Sequence, residues 1–124
     1  MGQITNPSSS GGGSKTGGTR LSFVLAAGAN NNVTPVGFVA TVGRLDLDST
    51  AGVANITGLL AGADGQQVLI RVKPGGNNVT LNNLNGGSLA ANQFSGPDDI
   101  VLTPGTALLL MYYGDAINNW VMVP

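Results

Sequence analysis

No stretch of this chain keeps a 3.6-residue apolar period over three helical turns. Apolar residues come instead in short alternating or β-branched runs, each cut by Gly, Pro, Asn or Asp. Leu21, Phe23 and Leu25 alternate with Ser22 and Val24, and Leu45 and Leu47 alternate with Arg44, Asp46 and Asp48. Residues 36–42 and 53–57 read as further strands. Residues 67–72 place Val68, Ile70 and Val72 on one face and Gln67, Leu69 and Arg71 on the other. Residues 79–81, 100–102, 107–113 and 120–123 complete the set. The 107–113 run is apolar on both faces, so one face is expected on the domain's own core and the other on a symmetry mate. Residues 28–32 and Ala63-Asp64-Gly65 read as turns, and residues 59–63 and 89–93 as single helical turns. Tyr113 and Trp120 flank the last hairpin and are expected to pair across it. The pattern predicts an all-β fold: an antiparallel β-sandwich, jelly-roll-like arrangement or small barrel.

The polar residues agree. All six acidic residues are Asp and none is Glu. Asp and Asn favour turns, whereas Glu and Lys favour helices. Only 9% of the 124 residues are charged, against about 25% in ordinary soluble domains. Asn, Gly, Thr and Ser must cover the surface, and a low-charge surface resists self-association poorly. That suits a subunit of an assembly.

The first 19 residues differ from the rest. Ser8-Ser9-Ser10-Gly11-Gly12-Gly13-Ser14 is linker composition. Residues 1–19 are read as a flexible N-terminal arm, a tether or a segment that orders on a neighbouring subunit. Residues 20–124 are read as one β-domain. The triplets Asn32-Val33-Thr34, Asn55-Ile56-Thr57 and Asn78-Val79-Thr80 recur 23 residues apart. Because the segments between them do not match, a solenoid is not expected. The triplets also fit the N-glycosylation pattern, but with no secretory signal they read as turn-to-strand junctions.

With no Cys and no His, the chain lacks disulfides, Cys/His zinc sites, Ser-His-Asp triads and Cys-His dyads. Asp46 and Asp48 share a strand face and read as solvated charge rather than a glycosidase pair. Asp98-Asp99 reads as a turn rather than a calcium site. The Gly-rich stretches lack the Gly-Lys-Ser/Thr ending of a phosphate loop. A net charge of −1 with no basic stripe gives no grip on nucleic acid. No run approaches the length of a membrane helix. The expectation is a protein that is not an enzyme, with no cofactor, no metal, no nucleic acid and no membrane. Phe94, Tyr112, Tyr113 and Trp120 are the candidate core or interface aromatics.

The order of features from Asn55 to Trp120 resembles a known family. It runs Asn55-Ile56-Thr57-Gly58, Ala63-Asp64-Gly65-Gln66, Val68-Leu69-Ile70 and Asn78-Val79-Thr80-Leu81. It continues through Gly87-Ser88-Leu89-Ala90-Ala91-Asn92-Gln93-Phe94 and Leu102-Thr103-Pro104-Gly105 to Leu110-Met111-Tyr112-Tyr113 and Asn119-Trp120. This looks like the small β-module of tailed-phage virion proteins, found in fibre tips and in head decoration or cement proteins. Gln93 stands where that resemblance places a basic residue. The resemblance implies a homotrimer bound to the major capsid protein or other virion subunits, and a virion location after assembly in the host cytoplasm. Short length and the arm favour head decoration. The alternative is a fibre-tip module that binds a receptor or host glycan through Trp120, Tyr112 and Tyr113.

Overall fold

The structure is a computed structural model that describes residues 18–115 and 119–123. Ten strands form in chain order: β1 (Thr19–Val24), β2 (Gly28–Asn30), β3 (Val42–Asp48), β4 (Ala54–Ile56), β5 (Gln67–Val72), β6 (Val79–Leu81), β7 (Phe94–Ser95), β8 (Ile100–Leu102), β9 (Ala107–Tyr113) and β10 (Asn119–Val123). A 3-10 turn, Ala90–Asn92, precedes β7. The six-stranded sheet has the order β1-β3-β5-β9-β10-β7, and the four-stranded sheet has the order β2-β4-β6-β8.

The first six strands alternate between the sheets. β1, β3 and β5 pair in parallel, and so do β2, β4 and β6. Each step along the chain therefore lays one strand in each sheet, and the chain repeats that circuit three times as a coil. Leu21, Leu45 and Ile70 are successive partners in one sheet; Ala29, Asn55 and Thr80 are successive partners in the other. The last strands close the coil by reversing: β8 runs antiparallel to β6, β9 to β5 and β10 to β9.

One core lies between the sheets. Leu45, Leu47, Ile70, Val72 and Leu110 enter it from the six-stranded sheet, and Ala54, Ile56, Val79, Leu81 and Leu102 from the four-stranded sheet. Pairing stacks Leu21, Leu45, Ile70 and Leu108 in one row, and Phe23, Leu47 and Val72 in the next. Full burial of each aliphatic side chain contributes about 1.5–3 kcal/mol. The period-2 alternation that made these strands readable is the alternation of the two sheet faces.

Polar side chains join one circuit to the next at the corners. The Ser49 hydroxyl donates to the Asn77 carbonyl at 2.7 Å and accepts from the Asn77 amide at 2.9 Å, and Asn77 Nδ2 donates to the Ser49 carbonyl at 2.8 Å. Asn92 Nδ2 and the Leu89 amide both donate to Asn32 Oδ1 at 2.8 Å. Such bonds satisfy corner backbone groups that no ladder reaches.

The all-β class is as expected, but wholly antiparallel connectivity is not: five of the eight ladders are parallel. The expectation against a solenoid is corrected by the three-circuit parallel coil, and the triplet repeat marks a genuine recurrence with a longer period. Asn55-Ile56 lies beside Thr80-Leu81 rather than Asn78-Val79, because the corners differ in length. Residues 28–30 form a strand where a turn was expected, and residues 59–63 form no helical turn. Of the expected strand at residues 36–42, only Val42 belongs to one, because Pro35 and Gly37 open a turn that carries Phe38 inward. The expected arm falls almost wholly on residues 1–17, outside the described residues.

Candidate interaction surface

The four aromatic residues singled out from sequence divide sharply by burial. Trp120 is fully buried and donates from Nε1 to the Leu59 and Leu60 carbonyls at 3.1 and 3.2 Å. Its indole meets Tyr112 edge to face at 5.0 Å between centroids and Phe38 at 6.2 Å. Gly62 is required here, since a Cβ on it would lie 2.7 Å from the indole ring. The Tyr112 hydroxyl donates to the Ala91 carbonyl at 2.9 Å, and burial raises its pKa above the usual 10. Phe94 is buried beside Trp120 as its partner in the β7–β10 pairing. Tyr113 alone is on the surface, at 44% exposure. The expected cross-hairpin pair is therefore Tyr112 with Trp120, and Tyr113 lies opposite Asn119. An exposed Trp-Tyr platform for a sugar is absent among the described residues.

The outer face of the six-stranded sheet carries what the sequence could not assemble. Pairing places Leu69, Leu109 and Val123 side by side, and Gln67, Met111 and Val121 in the adjacent row. Leu108, Leu110, Tyr112, Trp120 and Met122 are buried on the opposite face, so β9 and β10 are apolar on both sides. Leu69 and Val123 are 40% and 39% exposed, and Leu109, Met111 and Val121 are half-buried. Leu69 and Leu109 of this stripe also line a groove of ≈ 370 Å³, together with Gly18, Val42, Arg44 and Gln67.

At the β1 side of the same face all three arginines of the chain converge. Arg20 pairs with Arg44 across β1–β3, and Asp46 with Arg71 across β3–β5. Arg20 Nε donates to Asp46 Oδ2 at 2.8 Å. Arg71 Nε lies 3.8 Å from Asp46 Oδ1 and is buried without a hydrogen-bond partner among the described residues. Asp46 is 5% exposed and is held as the centre of a cationic cluster, not as solvated charge. Sequence reasoning missed this group. Its signal was the spacing of Arg20, Arg44 and Arg71, which follows the circuit of the coil.

Asp48 does sit in solvent, and the Thr50 hydroxyl and amide that it accepts hold its pKa below the ordinary carboxylate value. Asp99 accepts from the Asn83 amide at 2.7 Å and from Asn82 Nδ2, and Asp98 accepts from the Asp99 amide, so both cap their turn. No three acidic side chains gather among the described residues, and no helix there is long and apolar enough to cross a membrane.

The two ends of the coil are unlike. β1 and β2 are the outermost strands of their sheets at the first circuit. Leu21 and Phe23 are only half-buried, whereas Leu45, Leu47, Ile70 and Val72 beside them are at 2% exposure or less. Val24 and Val36 are exposed at 70% and 95%. At the other end β9, β10 and β7 cover the third circuit. No protein-family model, curated protein or solved structure matches this chain.

Proposed function

We propose that this chain is a virion structural protein of a tailed phage. In this reading it decorates the outside of the head as a homotrimer, binds the major capsid protein and stabilises the shell. The supporting observation is the apolar outer face of β5, β9 and β10, which lies behind side chains that already fill the core from the opposite face. Contiguous apolar surface of this kind marks a place where another protein sits. Leu69, Leu109, Met111, Val121 and Val123 are assigned to the contact between sister copies, and the polar Asn/Gly corners remain outward. The finer fold reading is a sandwich-like layering built by a short β-coil, supported by two sheets with one core between them. The resemblance in the Asn55–Trp120 order supplies the phage assignment. The fibre-tip, glycan-binding alternative loses its platform with Trp120 and Tyr112 buried.

The test is direct. The protein should co-sediment stoichiometrically with mature capsids, appear in virions by mass spectrometry and delay shell rupture on heating. Leu109→Asp should lower the mass in light scattering from three copies to one while the circular dichroism spectrum is retained. A protein that ignores capsids and is absent from virions overturns the assignment.

A further inference from the structure

The open end of the coil has a geometry that the function above does not use. The Leu25 amide donates to the Asp48 carbonyl at 2.8 Å, so the odd-numbered residues of this strand turn their backbone groups toward β3. In a parallel strand alternate residues address opposite sides. Arg20, Ser22 and Val24 therefore present their N–H and C=O groups to the free edge. The side chains of those residues lie on the outer face, and Leu21 and Phe23 point toward the core.

Gly18, just before β1, packs against β3 on the other side of the strand. Gly18 adopts φ +68° and sits so tightly on β3 that a Cβ would meet the Thr41 carbonyl and lie 3.0 Å from the Gly43 amide nitrogen. The Thr19 amide donates to Thr41 at 2.9 Å.

We infer that the β1 edge binds the β1 edge of a second copy, antiparallel about a two-fold axis through Ser22. This register is self-complementary in three respects. Ser22 faces Ser22, and Arg20 faces Val24 of the second copy, so the residues with free backbone groups meet each other as hydrogen-bonded pairs. Leu21 faces Phe23 of the second copy, so both half-covered core rows continue across the junction. No like charges lie directly opposite, since each guanidinium meets a valine. A slip by one residue would set core-facing against solvent-facing side chains. An edge strand with no partner on one side among the described residues is a template for another strand. Six strand residues are about 20 Å long. Across two sheets about 10 Å apart with their side chains, the contact is about 400 Å² per copy. That is half of the roughly 800 Å² of a standard stable interface. The pairing is therefore weak in solution and is strengthened where subunits are held at high density.

Val24 carries the test, because it is exposed and lies beside Asp48 within its own subunit. Val24→Lys leaves the single copy intact and sets a lysine against Arg20 of the second copy, twice by symmetry. Val24→Glu sets an acid there. Sedimentation equilibrium over a concentration series should show mass doubling for the natural chain. Val24→Lys should weaken doubling about fivefold or more, and Val24→Glu should strengthen it. Ser22→Cys, the sole cysteine in the chain, should give a covalent dimer on mild oxidation, since hydrogen-bonded partners are about 5.5 Å apart at Cα, within disulfide range. The factor of two is read on top of whatever mass the outer face sets, and Leu109→Asp should not remove it. Equal effects of Val24→Lys and Val24→Glu, or Ser22→Cys that stays uncrosslinked, would overturn the inference.

Discussion

The two ends of the coil are made of the same material and finished differently. At the third circuit an antiparallel reversal brings in Tyr112 and Trp120 and buries them, Trp120 against Phe38 from the turn before β3 and beside Phe94 of β7. At the first circuit Leu21 and Phe23 continue the aliphatic rows and stop in half-exposure. A strand ladder supplies alternation but no end. Something must close it, and among the described residues closure is built at the third circuit. That end holds most of the buried aromatic packing.

The closed end should give the largest response. Trp120→Ala removes a fully buried indole, two edge-to-face ring contacts and two hydrogen bonds, and should cost about 3–5 kcal/mol, read as a lowered denaturant midpoint. Phe23→Ala at the β1 end should cost about 1 kcal/mol, because the ring is only partly buried. If the two losses were equal, the contrast between the ends would be wrong.

Between these extremes lies Asp46. Asp46→Asn leaves Arg20, Arg44 and Arg71 facing one another without their anion, and should destabilise by about 1–3 kcal/mol. Added salt should restore part of that loss by screening the arginines. An unchanged melting temperature at low ionic strength would show that the cluster contributes nothing to folding.

The smallest effect is a pH dependence at the closed end. Burial raises the Tyr112 pKa, so the folded state holds this proton more tightly than the unfolded chain does. That contribution is complete below the unfolded value near 10 and is lost as pH rises through the folded value. Tyr112→Phe should flatten the alkaline decline of the melting temperature, with about 1 kcal/mol lost at neutral pH for the hydrogen bond to Ala91. A decline of the same steepness in Tyr112→Phe would assign the alkaline response elsewhere.

Much of this was legible in the sequence where period and face coincide. Residues 67–72 and 107–113 alternate cleanly because each has a core face, and the second apolar face of β9 showed in its composition. Pairing was not legible. The bonds that set the circuit, such as Ser49 with Asn77 and Asn32 with Asn92, lie in corners whose residues read only as turns. β2 was hidden for the same reason: Gly28-Ala29-Asn30 has the composition of a loop, and its neighbours alone make it a strand. Asp46 was misread because its counter-charges come from 26 and 25 residues away, at Arg20 and Arg71.

The circuit itself has a consequence for growth. β1, β3 and β5 are in-register copies of one step, as are β2, β4 and β6. A duplication spanning one whole circuit, from the start of β3 to the start of β5, would slot between existing neighbours without a new crossing. The chain would become longer and its closing hairpin would ride along unchanged. In such a molecule height is a countable property, and the antiparallel reversal is the mark that ends the count.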